Sequence, residues 1–288
     1  MNCFDLSSAF GRLASSIFVS ERSEGRNVAM FTAYLDATGN SIDQPFLIVA
    51  GYVANVAQWQ MFDSTWKRFH EEFQVELPFH MADFNDAVTS PERYSKQKKF
   101  RKDYVAIASD VRKAKEFLHH LTRTQLLFMS CGFSAIVPMA IYKEFDQHGE
   151  LSEKISPYTI AAHICTENIR KWEEFCDIPI ESEVIVEAGD LGQDNFLKSM
   201  AEERKNPPIP RQGAEFCGLQ AADHYAWEMA HNKKTMGREN FVTRIGFELQ
   251  LHGIPKRHRE ATAETMVHVM NMKGIKPRWK KNSSGSMA

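Results

Sequence analysis

The sequence predicts an α/β domain built on a mixed sheet, with long helical insertions after an opening hairpin. Three observations carry that expectation. Two strand-forming runs near the start are split by turn residues, aromatic residues then recur at helical spacing, and a late apolar strand precedes a helix rich in small residues. The expected order is β-β-α-α-β-α-β-α, which leaves the order of strands in the sheet open.

From Val28 to Asp36 the run VAMFTAYLD is rich in strand formers, and period two puts Met30, Thr32, Tyr34 and Asp36 on one face, with Asp36 last. Ala37-Thr38-Gly39-Asn40 is turn chemistry, and Phe46 to Val53 reads as a second strand buried on both sides. Trp59, Phe62, Trp66, Phe69 and Phe73 alternate spacings of three and four, which predicts a helix over about 57–73 with its aromatic stripe in the core. Residues 91–123 carry ten Lys or Arg against four acids and read as one helix; Gln125 to Val137 then returns to strand character.

A further helix is expected from about Tyr158 to Cys176, and Glu183 to Glu187 (EVIVE) as a short strand ending in an acid before the turn Ala188-Gly189-Asp190. Pro207, Pro208 and Pro210 mark a loop, and Gly218 to Ala230 has helix formers throughout, with Asp223 in its middle. The segment from Pro255 reads as one helix to Met272 followed by a frayed basic tail. The 288 residues therefore divide into an N-terminal arm (1–26), a main domain with helical insertions (27–254), and a C-terminal helix and basic tail (255–288).

Composition excludes several classes. Hydrophobic residues at 43% and charged residues at 25% describe a folded globular chain. With 35 Lys and Arg against 37 Asp and Glu, the net charge of -2 excludes a polybasic nucleic-acid coat but not a local basic face. The five cysteines contain no C-x-x-C pair, which suits a reducing compartment and removes zinc-ribbon and thioredoxin-like readings. Phe4, Leu6, Phe10, Leu13 and Ile17 suggest an amphipathic arm rather than a signal peptide, because Asp5 and Arg12 interrupt them. No stretch approaches the ~18 apolar residues of a membrane span, so a cytoplasmic location without membrane partners is expected. Walker A, dinucleotide-binding, nucleophile-elbow and zincin motifs are all missing from the sequence.

The acids at element ends hold the chemistry. Any one of them alone is a turn residue or cap. Together, Asp36 at one strand end, Glu187 at another and Asp223 in a helix are groups that an open α/β sheet brings to one crevice at the strands' carboxyl ends. Three converging carboxylates call for a counter-ion. Oxygen-only ligation selects Mg²⁺ or Mn²⁺ over zinc, which points to phosphodiester chemistry.

Four segments, Tyr34-Leu35-Asp36-Ala37-Thr38-Gly39, Phe79-His80-Met81-Ala82-Asp83, Val186-Glu187-Ala188-Gly189 and Gly218-Leu219-Gln220-Ala221-Ala222-Asp223, resemble in that order the bacterial and phage family called domain of unknown function 3800. The resemblance covers roughly residues 28 to 230. It implies a ribonuclease H-like (retroviral integrase superfamily) mixed sheet, with Asp36, Glu187 and Asp223 as metal-binding carboxylates and His80 and Asp83 as auxiliary groups at the mouth of the site. Ala37 departs from the family, which commonly has a second acid there. On residues alone, His80 filling space and Asp83 capping a turn is preferred over proton movement by His80, and Gln220 fits either a phosphate-orienting role or a bond to nearby backbone.

Two basic stretches, 91–123 and 255–281, are the candidate nucleic-acid surfaces, with Lys96, Lys98, Lys99, Arg101 and Lys102 the densest group. Trp279 in the tail offers a base-stacking ring. The expected function is metal-dependent hydrolysis of DNA or RNA; the competing class is a non-catalytic module that binds nucleic acid or protein through the same fold.

Overall fold

In the computed structural model, described over residues 30–39, 44–147, 149–236, 255–272 and 274–275, the two opening runs pair as expected. Strand β1 (Phe31–Thr38) and strand β2 (Phe46–Asn55) are antiparallel, with Tyr34 opposite Tyr52 and Asp36 opposite Ala50. The N-terminal arm and the basic tail with Trp279 lie outside the described residues. β2 continues into helix α1 (Val56–Phe73) through a reciprocal cap: Asn55 Oδ1 accepts from the Gln58 N–H, and Gln58 Oε1 accepts from the Asn55 N–H, both at 2.9 Å. The aromatic stripe packs inward as its spacing predicts, with Trp59, Phe62, Trp66 and Phe69 buried.

Residues 91–123 are not one helix. After α2 (Met81–Thr89) come a single turn, α3 (Pro91–Tyr94), then α4 (Lys102–Ala108) and α5 (Val111–Phe128). The lysine-rich 95–101 segment has no apolar periodicity to hold a helix on the core. Asp110 then restarts the helix by accepting from the Arg112 and Lys113 N–H groups. α5 also runs through residues 125–128, which the sequence suggests as strand. Its buried Gln125 accepts from the Tyr52 hydroxyl at 3.1 Å, so β3 begins only at Cys131 (Cys131–Pro138).

The chain continues through α6 (Met139–Phe145), α7 (Pro157–Phe175), β4 (Glu183–Glu187) and α8 (Gln193–Glu203). Two strands escape the sequence pattern. Ile209–Arg211, inside the expected proline loop, is a three-residue edge strand β5, where Pro210 is tolerated. Lys256–Glu260, expected as helix, is strand β6, parallel to β3; the helix starts after it, as α10 (Ala263–Met272). Between them lies α9 (Cys217–Met236).

The strands form one six-stranded sheet of order β5-β4-β1-β2-β3-β6. β1–β2 and β2–β3 pair antiparallel, and β1–β4, β4–β5 and β3–β6 pair parallel. This is an α/β fold, a mixed sheet with helices on both faces. Tyr34, Ile48, Ala50, Tyr52 and Ile185 face the core shared with α1, α2, α4, α5 and α9. Ala33, Leu35, Leu47, Val49 and Val184 face the other core, with α6, α7, α8 and α10. No described helix is long and apolar enough to cross a membrane.

Candidate functional site

Alternation along β1 sends Asp36 to the same face as Tyr34, and alternation along β4 sends Glu187 to the same face as Ile185. The parallel register ends at Leu35 beside Val186, so Asp36 and Glu187 follow as neighbours at the carboxyl ends of adjacent strands. Above that face lies α9 with Asp223. The three acids that the sequence singles out therefore come together. β1 runs two residues past Asp36, contrary to the expectation that Asp36 ends it.

Asp36 is buried, 5% exposed, with Oδ1 accepting from the Ala37 N–H at 2.7 Å. Its carboxyl is pushed well above the usual range, first by burial, then by the charges of Asp223 and Glu187, a side-chain hydrogen bond with Glu187, and the charge of Asp190. Asp223 is half-buried and is also shifted upward. Burial is the main cause; Glu187 and Asp83 add to it, while His80 and the Met81 N–H oppose it.

The Gly-Leu-Gln-x-Ala-Asp element at the start of α9 has a physical reason at each informative position. Gly218 lies flat on the Tyr34 ring: a Cβ there would stand 2.6 Å from Tyr34 Cδ2. Gln220 is buried, and its Oε1 accepts from Trp66 Nε1 at 3.2 Å and the Phe79 N–H at 3.0 Å while its Nε2 donates to the Gly213 carbonyl at 3.3 Å. It is a brace between α1, α9 and the 79–81 segment, which decides against the phosphate-orienting role. Asp223 Oδ2 accepts from the Met81 N–H at 2.7 Å.

His80 and Asp83 reach the mouth of the site. His80 is exposed immediately before α2, Asp83 lies in the first turn, and both act on Asp223 electrostatically. The backbone presenting them is pinned at successive points. The Glu76 N–H donates to Asp103 Oδ2 at 2.9 Å, the Phe79 N–H to Gln220, the His80 N–H to the Tyr104 hydroxyl at 2.9 Å, and the Met81 N–H to Asp223.

Of the five basic residues, Lys96, Lys98, Lys99 and Lys102 are exposed, and three of them lie on the 95–101 connection rather than on a helix. Arg101 is a correction. Its guanidinium is occupied by the Pro78 and Glu76 carbonyls, the Asp103 carboxylate and the Tyr104 hydroxyl, and stacks 4.0 Å from the Tyr104 ring centre. It is bound to its own fold and is not presented to a phosphate.

Sequence reasoning missed the group that shapes the β4 end. Gln193 Nε2 donates to the Glu187 carbonyl and to the Tyr158 hydroxyl at 3.4 Å, and its Oε1 accepts from the Gly189 N–H at 3.1 Å. Gly213 gives the Glu187 carboxylate room: a Cβ at 213 would lie 2.5 Å from Glu187 Oε1. The Gly189–Gly192 turn was the available signal, whereas nothing in the local sequence marks a glutamine as a clamp.

The donor set is all oxygen, which fits Mg²⁺ or Mn²⁺. Among the described residues, however, no group of three or more His, Cys, Asp or Glu is already spaced to hold a metal ion. Asp36 is instead held in its neutral direction by burial and by its acidic neighbours, and one Asp223 oxygen serves Met81.

No protein-family model matches the sequence, and no curated protein matches it either. Solved structures to which the chain is similar include a chain from the PCNA:RNase HII complex of Archaeoglobus fulgidus, with 10% identity, TM-score 0.32, and coverage of 90% of this chain and 98% of that one. Another is Bst-RNase HIII in complex with Mn²⁺, with 11% identity, TM-score 0.34, and coverage of 89% and 75% respectively. At these TM-scores the likenesses carry no argument, and the α/β description rests on the order and directions of the strands.

Proposed function

We propose that the protein is a metal-dependent nuclease acting on DNA or RNA, with Asp36, Glu187 and Asp223 holding Mg²⁺ or Mn²⁺, as the resemblance to domain of unknown function 3800 implies. The observation that supports this reading is the convergence of the three carboxyls, from β1, β4 and α9, on one face at the carboxyl ends of two parallel strands. A cation bound there supplies charge neutralisation at the scissile phosphate and acidifies a water for in-line attack.

The chain's own residues do the rest. Asp36 would offer its carboxylate as a ligand, its raised pKa falling beside a cation, and Glu187 is held in place by the Gly213 recess and the Gln193 brace. Asp223 keeps one oxygen on the Met81 N–H, leaving the other for ligation. His80, exposed at the mouth, provides an imidazole in place to move a proton to a leaving oxygen. Asp83 adds negative charge beside Asp223 and orients the mouth toward a cation.

A second reading, a non-catalytic module binding nucleic acid or protein, is favoured by the engagement of Asp223 with backbone and by the lack of a ready-spaced ligand trio among the described residues. One experiment separates the two. Purified protein is incubated with single- and double-stranded DNA and RNA in Mg²⁺ or Mn²⁺, with EDTA and Asp36→Asn controls. Cleavage that needs the metal and disappears in Asp36→Asn supports the nuclease; binding without cleavage under every condition supports the module.

A further inference from the structure

The lysines at 96, 98 and 99 lie on a connection that would be a loose loop but for its anchors, and Lys102 opens α4 just after it. Tyr94, buried, donates its hydroxyl to the Lys99 carbonyl at 3.4 Å, and Gln97 Nε2 donates to Asp86 Oδ2 on α2 at 3.2 Å. The strongest anchor is Arg101, whose side chain is 20% exposed and whose partner Asp103 is 11% exposed. One arm of its fork reaches the Glu76 carbonyl and Asp103, and the other reaches the Pro78 carbonyl and, at 3.0 Å, the Tyr104 hydroxyl. That hydroxyl also accepts from the His80 N–H, one residue before the Met81 N–H that binds Asp223. Arg101 thus joins the lysine loop to the backbone at the mouth of the carboxylate site.

We propose that Arg101 is a positioning residue that fixes the lysine loop to the His80 segment, so that a nucleic-acid backbone gripped by Lys96, Lys98, Lys99 and Lys102 is held in register with the carboxylates. The proposal rests on the nucleic-acid substrate put forward above. A planar fork satisfying four acceptors at once cannot be reproduced by an ammonium group of the same charge. Four exposed lysines contribute to binding by neutralising phosphates, but only a fixed loop presents them together.

Binding is measured separately from cleavage, by anisotropy of short fluorescein-labelled single- and double-stranded DNA and RNA in EDTA, between about 50 and 200 mM salt. The full chain is compared with Arg101→Lys, with Asp103→Asn, with the quadruple variant Lys96→Gln, Lys98→Gln, Lys99→Gln and Lys102→Gln, and with that quadruple carrying Arg101→Lys. The quadruple variant should lose about tenfold or more in affinity and reduce the salt slope by about 3. Arg101→Lys keeps the charge yet should weaken binding about threefold or more, Asp103→Asn should do the same, and Arg101→Lys should cost nothing further in the quadruple background.

The proposal is overturned if Arg101→Lys binds like wild type, if its loss adds in full to that of the quadruple, or if the quadruple or the wild type shows no specific dependence on these lysines. Should Arg101→Lys fail to fold by circular dichroism, Asp103→Asn and its combination with the quadruple variant decide the matter. Metal-dependent cleavage is scored in parallel: its failure with intact, Arg101-dependent binding removes the nuclease and leaves the positioning role.

Discussion

Asp223 and Met81 are 142 residues apart and joined by a 2.7 Å hydrogen bond from the Met81 backbone N–H to Asp223 Oδ2. One acid of α9 thereby fixes the segment that presents His80, while its charge acts on Asp36 and feels that of Glu187. The same carboxyl is structural on one side and electrostatically strained on the other, and the two roles can be separated by substitution.

Asp223→Asn keeps an acceptor for Met81 and removes a charge from the cluster. The folded-state values of Asp36 and Asp223 are raised, so folding takes up protons; the stability they contribute is full below the unfolded carboxylate range near ~4 and is lost as pH rises through the folded values. At neutral pH without metal, Asp223→Asn should melt at or above the wild-type temperature, and it should gain less on Mn²⁺ addition. A metal-free Asp223→Asn that melts well below wild type identifies Asp223 as a cap and nothing more.

Gly218→Ala places a methyl against the Tyr34 ring, where the backbone and a buried aromatic leave no room. The start of α9 must lift from β1, at a cost of about 1–3 kcal/mol. Chemical denaturation should show that loss, with a weaker response to Mn²⁺ because Asp223 moves with the helix. An unchanged midpoint would mean that the helix accommodates the methyl and that the glycine is incidental.

Gln220→Met fills the same volume but leaves the Trp66 indole N–H and the Phe79 N–H without their acceptor. Each such buried donor costs about 1–3 kcal/mol. Amide exchange should quicken at Phe79 and at Met81 ahead of the rest of α2. Equal protection in the variant would show that the 76–81 segment is held by Arg101, Asp103 and Tyr104 without the glutamine.

How much of this was legible in the sequence varies by element. The hairpin, the aromatic helix, the EVIVE strand and the α9 helix follow from periodicity, because each buries a face whose pattern is local. Asp36, Glu187 and Asp223 were legible as acids at element ends, and the fold brings them together. β6 was not legible: Lys256-Arg257-His258-Arg259-Glu260 contains no apolar residue, and its strand geometry comes from pairing with β3. Arg101 was read as a candidate nucleic-acid contact because two of its partners, the Glu76 and Pro78 carbonyls, lie more than twenty residues earlier in the chain. Gln193 and Gln220 have the same cause: a neutral amide has no local signature when its partners come from other elements.

His70 gives the core a pH dependence of its own. It is buried among Phe69, Phe79 and Phe117, with Nδ1–H donating to the Trp66 carbonyl at 2.8 Å, and burial lowers its pKa to about 4. Between about 6.5 and 4 the unfolded chain binds the proton that the fold refuses, so stability falls as pH drops through this window, by up to about 3 kcal/mol. His70→Phe should flatten the acid limb of a denaturation series between those values. An acid limb of unchanged steepness would place the titration elsewhere.

The central claim, a divalent cation shared by Asp36, Glu187 and Asp223, is tested most directly by Mn²⁺ binding to the purified, chelator-treated protein, followed by electron paramagnetic resonance and calorimetry at neutral pH. The account predicts saturable Mn²⁺ binding accompanied by proton release, because a cation lowers the raised pKa of the Asp36 carboxyl, with affinity lowered about tenfold or more in Asp36→Asn. Wild-type protein that takes up no Mn²⁺, or takes it up with the same affinity and the same proton release in Asp36→Asn, would contradict it.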